Sequence, residues 1–234
     1  MPSNRSASNP KIPFGVPADV RAIREKIKEF LDTETDQGKI GNCPFGVYVF
    51  YDYDGEPIYV GQTYETLRQR IGRHLTNQRT DAVAMNVLDP FEVAEIEVWP
   101  CWNLTVVRTK LNKAKDYLNS VEFTVFEKVL HSSSFGAVLN EKDVPATSKI
   151  KLPISHRQRI IPDELYGARK HPDVRIARRA STIASLARVI SERKVSAGLR
   201  RTLVTQARRL ERLAGQRLKD FEGKIPERKE TEEE

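Results

Sequence analysis

The chain has 234 residues and a net charge of +7. This length allows one substantial domain and a smaller attachment, and two cysteines make a disulfide-stapled secreted fold improbable, so we expect a reducing, cytoplasmic setting. No stretch approaches the roughly 20 apolar residues that cross a bilayer, so we expect no membrane association.

The charge is unevenly distributed along the chain. Residues 1–150 hold 18 basic and 20 acidic side chains, whereas residues 151–234 hold 21 and 12. The basic character therefore belongs to the C-terminal third. A polyanionic partner bound there is one interpretation, and a solvated helical surface is the other.

The first 44 residues precede the most patterned part of the chain. Residues 1–13 are rich in Ser, Asn and Pro, which predicts disorder. Residues 17–32 repeat apolar side chains at helical spacing behind a proline, which predicts a lead-in helix. Residues 33–43 read as a polar connector.

A β-hairpin is predicted over residues 45–61. An apolar, aromatic run ends at the turn signal Asp54-Gly55, and a second short strand begins at Pro57. A two-residue loop pairs positions whose numbers sum to about 109. Tyr48 then faces Gly61, with open space there, and Tyr48 and Tyr59 share one face of the sheet.

A helix is predicted over residues 64–77, with Thr63 as its N-cap. Arg70 and His74 are four residues apart and therefore lie on one face of this helix. Together with the two tyrosines they predict a surface that handles phosphate, because guanidinium matches phosphate geometry and imidazole exchanges protons near neutral pH.

The next elements are a short helix over residues 81–88 and a third strand over residues 91–99, with a bulge or register change near its start. Glu92, Glu95 and Glu97 alternate along this strand. They could be metal ligands, but alternating charges more often mark the wet face of a strand.

A strong helix is predicted over residues 112–131. At 100° per residue, Glu122 falls inside its apolar stripe and Glu127 falls on the opposite side. A carboxylate among core positions needs a partner, so Glu122 is the candidate functional acid. The alternative is a boundary glutamate bound to Lys115 or Asn119.

Two long amphipathic helices, over residues 174–193 and 197–221, should form an antiparallel hairpin with many arginines. The expected fold is therefore α+β, a small three-stranded antiparallel sheet flanked by helices, with a C-terminal basic α-helical hairpin. The expected units are a disordered N-terminus with its lead-in helix (1–44), a central domain (45–145), a linker (146–173), the basic hairpin (174–222) and an acidic disordered tail (223–234).

The central region resembles the GIY-YIG nuclease superfamily over about 95 residues, 45–140. Residues 46–48 are similar to its first signature tripeptide and residues 59–61 to its second, with valines at Val47 and Val60 in place of isoleucines. The family's order of Gly, Thr, Leu, Arg and His follows at Gly61, Thr63, Leu67, Arg70 and His74.

The resemblance implies a metal-dependent endonuclease acting on DNA, with Mg²⁺ or Mn²⁺ held by Glu122. It implies that Tyr48 is the general base, that Tyr59 positions the attacking water or the phosphate, and that Arg70 holds the scissile phosphate. His74 would hydrogen-bond Tyr48 or help in proton transfer. Some relatives place a lysine where Gln62 stands here, which leaves the base role to Tyr48.

The family also has an asparagine after the glutamate helix, which here would be Asn140; a structural loop residue is the alternative. Restriction and repair roles both stay open, and a homodimer is one option, since a double-strand cut usually needs two sites. The rival function is a catalytically idle DNA-binding or scaffolding protein with a vestigial site. Side chains expected to contact nucleic acid are Arg68, Arg73, Arg178, Arg179, Arg200, Arg201, Arg208 and Arg209.

Overall fold

The computed structural model describes residues 17–75, 89–105, 111–140 and 143–223, without the side chains of 111–113. The disorder expected in residues 1–13, the helix expected over 81–88 and the tail after residue 223 lie outside this part of the chain. Across the described residues, no helix is both long enough and apolar enough to span a membrane.

The predicted hairpin is present, and its register is the expected one at the tyrosines. Strands β1 (Glu34–Thr35) and β2 (Gly38–Lys39) form a small separate hairpin in the predicted connector. In the main sheet, β3 (Gly46–Tyr51) pairs with β4 (Pro57–Thr63), with Phe50 opposite Tyr59 and Tyr48 opposite Gly61. The register shifts beyond Phe50, so the connecting loop spans residues 52–56 rather than two residues.

The main sheet has four strands, not the three expected from sequence. Its order is β4-β3-β5-β6, where β5 is Glu95–Pro100 and β6 is His156–Arg159. Strand β6 has the polar sequence HRQR and is largely exposed, so it carries no apolar alternation to reveal it. It is held by its backbone pairing to β5 and by Arg157, whose guanidinium stacks on the Tyr51 ring at 3.7 Å and binds Glu95 at 2.6 Å.

Helices cover both faces of this sheet. Their bounds are Ala18–Leu31 for α1, Leu67–Leu75 for α2, Leu111–Ser132 for α3, Asp163–Lys170 for α4, Pro172–Glu192 for α5 and Ala197–Glu222 for α6. Helix α2 begins at Leu67, later than expected, and its first turn is capped by Thr66, whose Oγ1 accepts from the Gln69 N–H. Thr63 is therefore not the N-cap.

Strand alternation divides the core into two layers. On one face, Val47, Val49 and Val60 pack with the apolar stripe of α3, including Leu118 and Val121. On the other face, Tyr48 and Phe50 form a cluster with side chains of α1, α2, α5 and α6. Because period-two alternation sends neighbouring residues to opposite faces, each strand of the hairpin contributes to both layers.

The expected linker over 146–173 is corrected by the structure, because β6 and α4 lie within it. The C-terminal helices α5 and α6 pack against each other and also against the sheet domain. The contact is ionic as well as apolar. The Asp52 carboxylate, in the β3–β4 loop, accepts from Arg175, Arg179 and Arg209 at 3.2, 2.9 and 2.5 Å.

Candidate active site

The hairpin register brings the two predicted tyrosines together. Their rings are stacked, with centroids 6.1 Å apart and an interplanar angle of 27°. The ring of Tyr48 lies over Gly61: a Cβ at that glycine would approach the phenol oxygen to 2.5 Å and the Tyr59 ring to 2.9 Å. The space beside Gly61 is therefore filled by the Tyr48 ring, and any side chain at residue 61 would displace it.

Helix α2 adds the cation and the imidazole. Arg70 Nε donates to Tyr48 Oη at 3.1 Å, and Tyr48 Oη lies 2.9 Å from His74 Nε2. The phenol can donate to that nitrogen when the histidine proton is on Nδ1. The four-residue spacing puts both groups on one face of α2, as expected from sequence, and both reach the same phenol oxygen.

The members of this group differ in exposure. Tyr48 has no exposed surface and His74 is 3% exposed, whereas Tyr59 and Arg70 are only partly buried. The neighbouring phenol holds the pKa of Arg70 above its ordinary value even though burial opposes this. Arg70 and Tyr59 are therefore the groups that can first meet a ligand, with the Tyr48–His74 pair behind them.

Helix α3 presents Glu122 to the same region. Its carboxylate is buried at 9% exposure. Among the described residues Asn119 is bound by Gln62, and neither Lys115 nor Asn119 hydrogen-bonds to Glu122. Burial raises the pKa of Glu122 to about 7, and the nearby charge of Arg70 offsets part of that rise. Glu127 instead pairs with Lys149 at 3.3 Å on the outer side. The helical-wheel argument thus separated the two acids correctly.

Asn140 is bound to the outer edge of β4, next to the Leu139 N–H, which donates to the Ile58 carbonyl. Its Nδ2 donates to the Val60 carbonyl at 2.8 Å, and its Oδ1 accepts from the Val60 N–H at 3.0 Å. Both polar ends of the side chain are thus used on the backbone between Tyr59 and Gly61. This geometry gives Asn140 a positioning contact with the second tripeptide, the structural alternative left open by the sequence.

Glu122 is the carboxylate of this region that could bind a divalent cation. Among the described residues, no three His, Cys, Asp or Glu side chains form a group that could cage a metal. Mg²⁺ commonly binds through one or two carboxylates together with waters and substrate phosphates, so a single buried carboxylate near the Arg70 guanidinium fits it. Glu122 is the residue that would hold it.

One contact beside Glu122 was not expected from sequence. Gln62 Nε2 donates to Asn119 Oδ1 at 3.0 Å, which joins β4 to α3 one turn before Glu122. The buried Gln62 Oε1 has no hydrogen-bond partner within the described ranges. From sequence, the three-residue spacing places Asn119 and Glu122 on one face of the helix. No local pattern predicts that Asn119 contacts Gln62.

The acidic residues around β5 each have a partner among the described residues. Glu97 accepts from Tyr51 Oη at 2.6 Å, and Glu95 binds Arg157. Glu92 accepts from Arg179 at 3.1 Å, and burial raises its pKa. Each carboxylate has its own cationic or phenolic partner, which accounts for these charges without a metal.

The eight arginines expected to contact nucleic acid fall into three groups. Arg179 and Arg209 are 4% and 2% exposed and bind Asp52, so a DNA backbone cannot reach them in this structure, contrary to the expectation. Three others bind neighbouring carboxylates, namely Arg68 with Asp32, Arg73 with Glu65 and Arg178 with Asp89. Arg200, Arg201 and Arg208 are exposed on α6, where Arg201 binds Asp143.

A known family matches the part of the chain that carries the two tyrosines, the arginine and the histidine of the site. The model of the GIY-YIG catalytic domain matches residues 44–108, which carry Tyr48, Tyr59, Arg70 and His74 but end before Glu122 and Asn140. No curated protein and no solved structure gives a significant match. A tyrosine pair, arginine and histidine in the family's order, on a hairpin and the helix that follows it, support a nuclease-type hydrolase. The match over residues 44–108 supports the resemblance of this segment to the GIY-YIG nuclease superfamily.

Proposed function

We propose that the chain is a metal-dependent endonuclease that hydrolyses DNA phosphodiester bonds. The observation that carries the proposal is the contact of one phenol oxygen with both a guanidinium and an imidazole, at 3.1 and 2.9 Å. The partly exposed Arg70 and the buried carboxylate of Glu122 lie within electrostatic range of each other. These are the groups needed to hold a phosphate, a cation and a proton acceptor in one place.

Arg70 acts first in this scheme. Its guanidinium binds the oxygens of the scissile phosphate, for which a planar fork of N–H donors is well matched. In the free protein Arg70 contacts Tyr48 Oη, so we expect its movement towards the phosphate to uncover that oxygen. Tyr59, stacked on Tyr48 and partly exposed, positions the phosphate or the attacking water.

Tyr48 is the proposed general base. A phenol with an ordinary pKa near 10 is a weak base at neutral pH, so it must first lose its proton. His74 Nε2 accepts that proton, and the positive charge of Arg70 stabilises the phenolate. The phenolate then removes a proton from water as the water oxygen attacks phosphorus, the bond to the leaving oxygen breaks, and that oxygen takes a proton from solvent.

Glu122 is proposed to hold a magnesium ion, which when bound neutralises phosphate charge and stabilises the leaving oxygen. The carboxyl must be ionised for this role. Since burial raises its pKa to about 7, a bound cation would favour the ionised form at neutral pH.

Nicking of supercoiled plasmid with and without magnesium tests the proposal. Tyr48→Phe should lower the cleavage rate by about a hundredfold or more, in the range found for lost proton-transfer groups. Glu122→Ala should remove the magnesium-dependent cleavage, because it deletes the carboxylate proposed to hold the cation. Glu127→Ala is the matched control, because it removes a carboxylate from the exposed side of the same helix. It should cleave as fast as wild type.

Absence of magnesium-dependent cleavage by wild type on duplex, branched and single-stranded DNA would favour the idle DNA-binding or scaffolding protein. Equal rates for Glu122→Ala and wild type would instead reject this site while leaving nuclease activity in place. Sequencing the ends of products from digested genomic DNA would distinguish a restriction from a repair role.

A further inference from the structure

A groove of about 570 Å³ lies between helices α3 and α6. Strand β4 is at one end of the sheet order, and its outer edge is bound by Leu139 and Asn140, of which Asn140 lines the groove. Residues along the groove include Phe126, Leu130, Asn140, Arg200, Arg201 and Arg208. Its floor is thus apolar and its α6 side is cationic.

The cations of this groove are available to a ligand. Arg200, Arg201 and Arg208 are exposed, and within the described ranges Asp143 is the only carboxylate on the groove. Asp143 binds Arg201 at 2.5 Å, but both side chains are largely exposed, at 84% and 59%. Exposed pairs of this kind are weak in water, so a phosphate can replace the carboxylate at little cost.

The groove continues the candidate active site along α3. Glu122, Phe126 and Leu130 are four residues apart in turn, and each step advances about 6 Å along a helix with a rotation of about 40°. Phe126 and Leu130 therefore lie roughly 6 and 12 Å from the position of Glu122 along the same side of α3. At about 3.4 Å per nucleotide along a strand, these distances correspond to roughly two to four nucleotides.

Asn140 joins the two regions from the strand side. It lines the groove and also holds the backbone of Val60, between Tyr59 and Gly61. A strand whose phosphate sits on Arg70 can thus pass the β4 edge at Asn140 and reach the arginines of α6. By contrast, Arg179 and Arg209 are occupied by Asp52 and offer no alternative route.

We propose that this α3–α6 groove binds the DNA backbone on one side of the scissile bond, through Arg200, Arg201 and Arg208. Its position relative to the cut rests on the function proposed above. The binding itself does not, because it requires only cations and a phosphate backbone. The groove would hold the flanking DNA while the active site acts on a phosphate two to four nucleotides away.

The test measures salt-dependent binding of a fluorescein-labelled duplex of random sequence by anisotropy, in EDTA so that no cleavage occurs. For B-DNA, each phosphate contact contributes about 0.9 to the slope of log K against log salt. The double variant Arg200→Ala/Arg208→Ala should therefore reduce the slope by about 2 and weaken binding at low salt.

Arg188→Ala/Arg193→Ala is the matched control, since both arginines are exposed but lie at the end of α5, outside the groove. It removes the same charge and should leave the slope near the wild-type value. All these substitutions are on the surface, and thermal melting should show that each variant folds as wild type does.

Photo-crosslinking gives an independent measurement. Val204 is 50% exposed on the groove, and Ala184 is exposed on α5. Benzoylphenylalanine at position 204 should crosslink to the duplex in higher yield than the same group at position 184. Equal yields, or the same loss of slope in both double variants, would overturn the groove assignment.

The outcomes separate this inference from the proposed function. A reduced slope for the groove variant, with no cleavage by wild type, would support the groove and reject the nuclease. Cleavage by wild type with an unchanged slope for the groove variant would reject the groove and leave the nuclease.

Discussion

The ionic contact centred on Asp52 makes a quantitative prediction about stability. Asp52 Oδ2 accepts from Arg175, Arg179 and Arg209, and all four side chains are at most 5% exposed. The other carboxylates bound to these arginines are Asp54 and Glu92. Three negative charges thus face three positive charges, which allows the group to be buried.

Asp52→Asn removes one of these charges with little other change. The second oxygen, Oδ1, accepts from the N–H groups of Asp54 and Glu56 at 2.8 and 3.0 Å and so shapes the β3–β4 loop. Asparagine keeps one acceptor for those bonds. On the other side it places an NH₂ group against three guanidiniums, which leaves a buried positive charge without its partner.

The expected loss is large because removing one partner of a buried ion pair costs about 3–5 kcal/mol. For a protein of this size, about 1 kcal/mol shifts Tm by roughly 2–4 °C, so the melting temperature should fall by roughly 6–20 °C. Guanidinium unfolding and thermal melting monitored by circular dichroism would measure both quantities.

Asp163→Asn is the matched control, because Asp163 pairs with Arg159 but is 87% exposed. It should change the free energy of unfolding by only about 0–1 kcal/mol. If Asp52→Asn cost no more than this control, the buried arginines would not depend on Asp52 and the reasoning would be refuted. Adding Arg209→Met to Asp52→Asn should recover part of the loss, since it removes one unpaired cation.

Two further predictions concern the candidate site. In metal-free protein, Glu122 has a pKa of about 7 when folded against an ordinary value of 4.5, so the free-energy cost of ionising it in the folded state grows as pH rises through this interval. The free energy of unfolding of Glu122→Gln, relative to wild type, should therefore increase by about 2.5 kcal/mol between pH 5 and 8, and a pH-independent difference in chemical unfolding would contradict this. Asn140→Ala loses two hydrogen bonds to Val60, so it should lower the free energy of unfolding by roughly 1–3 kcal/mol and slow cleavage. The control Asn103→Ala, at an exposed position, should change the free energy of unfolding by no more than about 0.5 kcal/mol; equal melting curves for the two variants would show that the β4 edge holds its position without Asn140.

Local pattern was sufficient for the first four site residues. The turn signal and period-two alternation determined that Tyr48 and Tyr59 share a face, and helical spacing placed Arg70 beside His74. The helical wheel likewise separated Glu122 from Glu127. These relations depend on the backbone geometry of one or two elements, so the order of residues determines them directly.

Other features were decided only by tertiary structure. Strand β6 pairs through its backbone and has no apolar pattern, and Arg179 and Arg209 look like any exposed arginines until Asp52 is found between them. The two bonds from Asn140 to Val60 span 80 positions. The sequence alone therefore determined which chemical groups the hairpin and its following helix present. Partners brought together from distant segments decided which charges are buried and which remain free, because burial and pairing depend on the packing of the whole chain.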